Sequence, residues 1–405
     1  MALTFARGFR AGTAACGIKA FTTGASAIPS GQRDDLCVVH SSSPCDTGGV
    51  FTTNKVKSAS VVIDQLHLQH HRVQALVINS GNANACTGAQ GFKDALLMAK
   101  LTADRLDLDP DQVLVSSTGV IGRYLPMDAV KAGIASACGA LSPDHGIAAA
   151  KAIMTTDTVP KTAKMEIDIG GSKVRIGGMC KGSGMIHPNM ATMLAYITTD
   201  AVVEPGLMAA LAKPVADLSF NQVTVDGDSS TNDTFLLLAN GAAGNAPVRH
   251  GSEAAGALQA AIVEVARELA RAIARDGEGA TRMIAVRVQG AESDDEARTA
   301  ARAVASSSLV KTAVHGGDPN WGRIVCALGY SGAELALDRL HLSIGGLVVF
   351  ERGAGVDVDL SAVRRAFEQP EIEIVATLGL ADGRAEAWGC DLSEEYVRIN
   401  AEYTT

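Results

Sequence analysis

KGSGMIHPNMATMLAYITTDA, residues 181–201, is the stretch that decides how this chain is interpreted. A lysine precedes two glycines, and Pro188 stands before a run of small and apolar residues. Because proline lacks an N–H and has a fixed φ, it does not fit within a central strand, so the stretch predicts a turn that leads into a strand near Thr192. The motif is not a P-loop, since a P-loop lysine follows the last glycine.

Thr192 follows Ala191 directly, and this pair raises the possibility of self-cleavage. Threonine is a weak nucleophile unless a base lies beside it. Cleavage in front of a threonine would give that residue a free α-amine, whose reference pKa of about 7.7–8.0 makes it a base near neutral pH. Ala-Thr pairs are common, so on these residues alone a processed nucleophile and an ordinary surface turn both stay open.

The composition limits the class of protein. The chain has 405 residues, of which 47% are apolar, 20% charged and 4% aromatic, and its net charge is -9. This composition predicts a folded globular protein of about two domains. Lysine and arginine form no block and aromatic residues are few, so we expect no nucleic-acid partner. Apolar runs stay shorter than the roughly 18 residues of a membrane helix, so we expect no membrane partner.

Cysteine and histidine patterns argue against a metal site. The eight cysteines include no C-x-x-C pair, which favours reduced thiols over a zinc ribbon or a disulfide framework. His315 stands alone without metal-ligand spacing, and we expect no metal. The N-terminal segment has Arg7, Arg10 and Lys19 and no acid before Asp34, a composition that mitochondrial transit peptides share.

Apolar patterns predict a mixed α and β fold with interleaved elements. The segments that predict strands are 73–79, 112–117, 161–169, 173–180, 234–240, 341–350, 371–378 and 384–391. The segments that predict helices are 92–108, 126–141, a broken helix around Pro214, 251–277 and 392–403. The helix at 251–277 is the most strongly predicted, because its apolar residues recur every three or four positions along one stripe.

Other polar stretches could belong to a functional site. VSSTGVIG, residues 115–122, runs from a strand into a glycine turn whose N–H groups could stabilise an oxyanion, although a simple strand end has the same pattern. RDGEGATR, residues 275–282, places Glu278 between two glycines, which predicts an exposed carboxylate in a loop. INSGNANACTG, residues 78–88, and HGGDPNWGR, residues 315–323, predict tight turns that are either functional or structural.

Six motifs in a fixed order resemble the ornithine acetyltransferase family of arginine biosynthesis. They are MTTDTVPK, GMCKGSGMIHPNMATMLAYITTDA, TVDGDSSTNDT, DGEGATR, KTAVHGGDPNWGRI and the C-terminal YVRINAEYTT. The resemblance extends from GFRAG near residue 8 to Thr405. No single motif is specific, whereas six long motifs in order are.

The resemblance implies a fold and a processing event. The fold would be the mixed α/β, layered αββα-type fold of self-processing N-terminal-nucleophile acyltransferases, with a smaller C-terminal α/β region. Cleavage between Ala191 and Thr192 would give an α fragment, residues 1–191, and a β fragment, residues 192–405. The two fragments would stay intertwined in one fold and assemble as α2β2.

The resemblance also implies a reaction. The nucleophile would take an acetyl group from N²-acetylornithine and pass it to glutamate, giving ornithine and N-acetylglutamate by a ping-pong mechanism. No cofactor is expected, and acetyl-CoA would enter only as a substrate. An enzyme of this kind is expected in the cytoplasm of a bacterial-type cell, with the mitochondrial matrix as the alternative.

Individual roles follow for the residues that match the family motifs. Thr192 would be the nucleophile, and Thr118 and Gly119 would form the oxyanion hole. The substrate-binding residues would be Thr155, Lys181, Thr192, Glu278, Asn400 and Thr405. Lys181 suits a carboxylate and Glu278 suits the cationic end of ornithine. His187 departs from the pattern, because a small residue is expected at that position.

Three other functions stay open. The enzyme could also make N-acetylglutamate directly from acetyl-CoA. A peptidase or amidohydrolase with an N-terminal nucleophile would pass its acyl group to water instead of glutamate. A non-catalytic amino-acid-binding protein would never cleave its chain, and the intact Thr192 argues against it.

We predict that Thr192→Ala leaves one uncut chain without acetyl transfer, because the hydroxyl that would attack the preceding carbonyl is absent. Intact-mass analysis of the purified variant and of the unaltered protein measures this. A variant that still splits in front of residue 192 would contradict the predicted self-cleavage.

Overall fold

The computed structural model describes residues 2–19, 34–70, 72–187 and 193–402. The predicted cleavage residues Ala191 and Thr192, and the predicted binding residue Thr405, lie outside these described residues. The N-terminal segment that we compared with a transit peptide contributes to the core, since Leu3 and Ala6 are fully buried.

Strands and helices alternate along the chain, in agreement with the predicted mixed class. The strands are β1 Phe9–Ala14, β2 Leu36–Ser41, β3 Asp46–Phe51, β4 Ala75–Asn82, β5 Val113–Val120, β6 Lys161–Ile169, β7 Ser172–Lys181, β8 Leu194–Thr199, β9 Thr234–Ala239, β10 Met283–Ala291, β11 His341–Ile344, β12 Leu347–Glu351, β13 Ala354–Gly355, β14 Glu371–Thr377 and β15 Gly383–Cys390. The α-helices are α1 Ala59–His67, α2 Gly88–Leu106, α3 Met127–Gly139, α4 Gly146–Ala152, α5 Leu207–Asp217, α6 Glu253–Arg275, α7 Asp294–Ser306, α8 Ser308–Gly316, α9 Trp321–Gly329, α10 Leu360–Phe367 and α11 Glu394–Glu402.

The strands form three sheets. Sheet A has the order β1-β2-β4-β5, sheet B has the order β3-β9-β8-β7-β6, and sheet C has the order β13-β12-β11-β14-β10-β15. In sheet B, the end of β7 pairs with the start of β8, so that Lys181 lies opposite Leu194. Leu194 in turn lies opposite Thr234 at the start of β9. The C-terminal end of β7 and the N-terminal ends of β8 and β9 therefore lie side by side at one end of sheet B.

Sheets A and B pack face to face. Side chains on one face of sheet A, such as Val39 and Leu76, share a buried cluster with Met179, Tyr196 and Leu236 of sheet B. Successive side chains of a strand point to opposite faces of the sheet. The alternate residues of these strands therefore lie on the outer face of each sheet, away from the other sheet.

Helices cover the outer faces of the pair. Val38 and Val77 of sheet A pack in one cluster with Met98 of α2 and Ile134 of α3. On sheet B, Ile197 belongs to the cluster that contains the stripes of α5 and α6. The layers are therefore helix, sheet, sheet and helix, and the predicted αββα fold is confirmed.

Sheet C forms the smaller C-terminal α/β region. Val286 and Ile374 pack in a separate buried cluster with Ala301 of α7, Ile324 of α9 and Phe367 of α10. The prediction of one strand over 341–350 is wrong, because Gly345 and Gly346 adopt positive φ and turn the chain into a β11–β12 hairpin. Glycine tolerates this conformation without steric cost.

The prediction of a broken helix around Pro214 is wrong, and one helix was missed. α5 runs unbroken through Pro214, although proline removes one helical hydrogen bond. Leu207, Leu211 and Val215 are buried, and this packing offsets the loss. α7 was not predicted, because its buried stripe consists mostly of alanine, which gives little hydrophobic contrast.

All eight cysteines fall within the described residues and are free thiols. Across the described ranges, we find no helix that is both long and apolar enough to cross a membrane.

Candidate functional site

A cleft of about 220 Å³ opens where the end of β5 meets the end of β7. The predicted site residues that the structure describes all line this cleft, and they are Thr118, Gly119, Thr155, Lys181, Glu278 and Asn400. They come from five separate parts of the chain. The fold therefore brings together the described part of the predicted site, and the roles of these residues remain predictions.

Lys181 is a buried cation in the wall of the cleft. Only 4% of the residue is exposed, and Nζ donates a hydrogen bond of 3.4 Å to Oγ1 of Thr118. Burial lowers the pKa of Lys181, while the charges of Asp157 and Glu278 act in the opposite direction. A buried ammonium group at a cleft provides a strong attraction for an anionic ligand.

Thr118 and Gly119 lie at the end of β5, where the strand meets an irregularity in β4. Gly119 has a φ of 131°, and a Cβ at this position would overlap the backbone of Gly81 and Asn82. Only glycine fits this close approach of two backbones. The close approach fixes the backbone next to Thr118, where an oxyanion hole is predicted.

Asp157 is a functional candidate that the sequence did not single out. Its buried carboxylate accepts hydrogen bonds from Gly182 N–H at 2.7 Å, Thr155 N–H at 3.1 Å and Lys161 Nζ at 2.6 Å. Burial works against the charged form, but Lys181, Lys161 and these hydrogen bonds hold the pKa of Asp157 at about 2. The motif MTTDTVPK contained this residue, yet one aspartate in a loop carries no spacing signal.

Glu278 is buried, so the prediction of an exposed carboxylate between glycines is wrong. The residue is 8% exposed, and its N–H donates to Ser183 O at 2.9 Å. Asn400 Nδ2 donates to Oε2 of Glu278 at 2.9 Å. A Cβ at Gly184 would overlap the Glu278 carboxylate. Gly184, the second glycine of KGSG, therefore leaves space for the Glu278 carboxylate.

The helix that carries Asn400 docks on the Glu278 loop. Ser393 Oγ donates to Gly279 O at 2.6 Å just before α11 begins. Gly279 has a φ of 69°, and a Cβ there would overlap the backbone N of Tyr396. This contact places Tyr396 and Asn400 in the lining of the cleft.

Asp226 fixes the turn that follows the glycines of KGSG. Its carboxylate accepts hydrogen bonds from Met185 N–H at 2.6 Å and Ile186 N–H at 2.9 Å. Burial raises the pKa of Asp226, and these hydrogen bonds oppose the shift. His187, the departure from the family pattern, has Nδ1 3.3 Å from Thr224 Oγ1, and burial lowers its pKa.

Two adjacent residues before β9 hold neighbouring parts of the chain at the cleft: Asn232 connects to sheet A, and Asp233 holds Met193, the residue before β8. Asn232 Nδ2 donates to Ala83 O at 2.6 Å and to Ser117 O at 2.8 Å. Asp233 is fully buried, and its Oδ1 accepts the N–H of Met193 at 3.2 Å. Burial raises the pKa of Asp233 well above its usual value. The motif TVDGDSSTNDT, which predicted a polar turn, thus anchors the residue after Thr192.

The stretch HGGDPNWGR does not contribute to the cleft lining. His315 Nδ1 lies 2.8 Å from Oδ2 of Asp391, which also accepts hydrogen bonds from Thr281. These contacts favour the structural interpretation of the stretch. Among the described residues, no group of three or more His, Cys, Asp or Glu side chains could hold a metal ion.

Comparison with known proteins identifies similar chains over nearly the full length. The family model described as the ArgJ family matches residues 10–405. The arginine biosynthesis bifunctional protein ArgJ of Symbiobacterium thermophilum is 51% identical over 373 residues, which cover 92% of this chain and 93% of that protein. The protein of the same name from Dehalococcoides mccartyi is 46% identical and covers 100% of this chain and 97% of that protein.

One solved structure is similar over half of the chain. It is the arginine biosynthesis bifunctional protein ArgJ from Bacillus halodurans, with 38% identity and a TM-score of 0.50. The match covers 51% of this chain and 98% of that chain. The solved chain is therefore about half as long as the present one.

We predict that Gly184→Ala weakens the binding of ornithine roughly tenfold or more, because the new Cβ displaces the Glu278 carboxylate from its position beside Asn400. Isothermal titration calorimetry with ornithine measures this. Gly139→Ala is the matched control, since a Cβ at Gly139 contacts nothing within 4 Å. Equal affinity in both variants would contradict a role for Glu278 at the cationic end of the ligand.

Proposed function

The chain belongs to the ArgJ family, and from this premise we propose that it is a glutamate N-acetyltransferase of arginine biosynthesis. It transfers the acetyl group of N²-acetylornithine to glutamate and produces ornithine and N-acetylglutamate. The observation that carries the proposal is the cleft itself, which places a buried ammonium group and a buried carboxylate on its walls.

These two charges complement the donor substrate. N²-acetylornithine has an α-carboxylate beside its acetamide and an ammonium group at the end of its side chain. Lys181 suits the carboxylate and Glu278 suits the ammonium group. Because Lys181 Nζ lies 3.4 Å from Thr118 Oγ1, a ligand whose carboxylate binds Lys181 brings its neighbouring acetamide close to the proposed oxyanion hole.

The reaction proceeds in two half-reactions. The free α-amine of Thr192 takes the proton of the Thr192 hydroxyl as its oxygen attacks the acetamide carbon. Thr118 and the Gly119 N–H stabilise the oxyanion of the tetrahedral intermediate. The intermediate collapses with cleavage of the C–N bond, and the departing amine of ornithine takes the proton.

The second half-reaction reverses these steps with a different amine. The α-amine of glutamate attacks the acetyl ester of Thr192, the C–O bond breaks, and the Thr192 hydroxyl is restored. Both substrates are α-amino acids with the reacting nitrogen next to the carboxylate. One carboxylate-binding group therefore serves both half-reactions.

Self-cleavage between Ala191 and Thr192 supplies the α-amine. Support comes from the residue that follows, because Met193 is held by the Asp233 carboxylate and by a hydrogen bond from Thr234 N–H to Met193 O of 3.0 Å. The half-length chain of the solved relative is consistent with two separate fragments. We propose that the fragments 1–191 and 192–405 assemble as α2β2 and that the enzyme works in the cytoplasm.

A second activity has support in the names of the relatives. Both curated relatives are called bifunctional, so we propose that acetyl-CoA also acetylates the nucleophile and that glutamate accepts this acetyl group. Acetyl-CoA is then a substrate, and the reaction uses no cofactor. Hydrolysis in place of transfer would require water at the acetyl-enzyme, and we propose that α11, which packs on the Glu278 loop, limits the access of water to the cleft.

We predict ping-pong kinetics, with parallel double-reciprocal lines when N²-acetylornithine and glutamate are varied, because ornithine leaves before glutamate binds. Initial rates from ornithine and N-acetylglutamate assays measure this. Intersecting lines would contradict an acetyl-enzyme, and release of acetate in place of N-acetylglutamate would favour an amidohydrolase.

A further inference from the structure

The Asp157 carboxylate joins two groups that the proposed function assigns to substrate binding. Its Oδ2 accepts the N–H of Thr155 at 3.1 Å and lies 3.9 Å from Nζ of Lys181. Its Oδ1 accepts the N–H of Gly182, the residue after Lys181, at 2.7 Å. The Asp157 carboxylate thereby fixes the backbone at Thr155 and next to Lys181, and it also faces the Lys181 ammonium group.

We propose that Asp157 is the positioning residue for the carboxylate-binding end of the cleft, so that recognition of the substrate α-carboxylate depends on it in both half-reactions. The inference rests on the proposed acetyl transfer and adds a residue to it. Asp157 does not line the cleft, so it acts through Lys181 and Thr155.

The charges around Lys181 show why a carboxylate is needed. Burial disfavours the ammonium form, and Lys161 disfavours it further by repulsion. The opposing charges are Asp157, Glu278 and Asp233. Burial raises the pKa of Asp233 well above its usual range, so that group ionises less readily than Asp157. Asp157, with a pKa of about 2, is fully charged and is the main support on the carboxylate side.

Ion pairs and hydrogen bonds connect this end of the cleft to the other one. Lys161 Nζ contacts both Asp157 and Asp276. Ser183 Oγ donates to Asp276 O at 2.6 Å, and Ser183 O accepts the N–H of Glu278 at 2.9 Å. Ser183 and the backbone of Asp276, rather than Asp157, therefore hold the loop of Glu278 at the ammonium end.

The experiment uses a donor that lacks only the group in question. N-acetyl-1,4-diaminobutane is N²-acetylornithine without its α-carboxylate, so the ratio of the two kcat/KM values measures carboxylate recognition. In Asp157→Asn, the charge is lost and one backbone N–H loses its acceptor, because an amide accepts only through its single oxygen. We expect the ratio to fall roughly 100-fold, in line with the loss of one partner of a buried ion pair.

The fall should be confined to the substrates that carry an α-carboxylate. We expect kcat/KM for N²-acetylornithine and for glutamate to drop by similar factors, while the value for N-acetyl-1,4-diaminobutane stays within about threefold of that of the unaltered enzyme. Rates are normalised to the cleaved fraction from intact-mass analysis. Any merely structural damage would lower all three values together, and an unchanged ratio would overturn the inference.

The pH profile supplies a second readout. Carboxylate binding needs protonated Lys181, so it is present below the pKa of Lys181 and is lost as the pH rises through it. Removing the Asp157 charge lowers that pKa further. The alkaline limb of kcat/KM for N²-acetylornithine should therefore move to lower pH in Asp157→Asn, and an unmoved limb would also contradict the inference.

Two further variants separate this inference from failure of folding or of the proposed function. If Asp157→Asn does not fold, the double variant Asp157→Asn/Lys161→Met replaces it, because it removes one buried charge of each sign. The double variant should show the same fall in the ratio of the two kcat/KM values. Asp200→Asn is the matched control, because Asp200 is a buried carboxylate that accepts N–H groups of Arg7 and Arg175 away from the cleft; it should keep the ratio. An unaltered enzyme that transfers no acetyl group at all would refute the proposed function instead.

Discussion

Two lysine ammonium groups, those of Lys161 and Lys181, are buried beside one carboxylate, that of Asp157, and the rest of the cleft depends on this balance. A buried cation is stable only when it is paired and hydrogen-bonded. Asp157 accepts a hydrogen bond from Lys161, forms an ion pair of 3.9 Å with Lys181, and also fixes the N–H groups of Thr155 and Gly182. The balance leaves Lys181 able to attract an anion from the cleft, because its other polar contact is a threonine hydroxyl.

The αββα layers bring these groups to one place. β5 belongs to sheet A and β7 to sheet B, so Thr118 and Lys181 can meet only because the sheets pack face to face. The close approaches at the cleft use glycine where a side chain would not fit, at Gly119 against β4 and at Gly184 against Glu278. The Glu278 carboxylate then completes a site with opposite charges on its walls, which suits an amino acid that carries both a carboxylate and an ammonium group.

Apolar periodicity predicted the mixed α and β class, and the resemblance carried by six long motifs implied the layered fold, the family and six of the residues that line the cleft. The sequence did not predict the burial of Glu278, since flanking glycines suggest exposure and only the fold shows that Gly184 and α11 enclose the carboxylate. Asp157 escaped notice for a similar reason, because its partners Lys161 and Lys181 are assembled by two neighbouring strands. The β11–β12 hairpin was missed because two apolar strands flank the short Gly345-Gly346 turn, and α7 was missed because its alanine-rich stripe gives little hydrophobic contrast.

Peptide mapping of the acetyl-enzyme tests the central claim most directly. The purified enzyme is incubated with N²-acetylornithine alone, quenched in acid, digested and analysed by mass spectrometry. We predict one acetyl group on the peptide that begins with Thr192, with ornithine released in equal amount, and loss of that acetyl group when glutamate is added before quenching. Ornithine release only in the presence of glutamate, or an acetyl group on any other residue, would contradict Thr192 as the nucleophile.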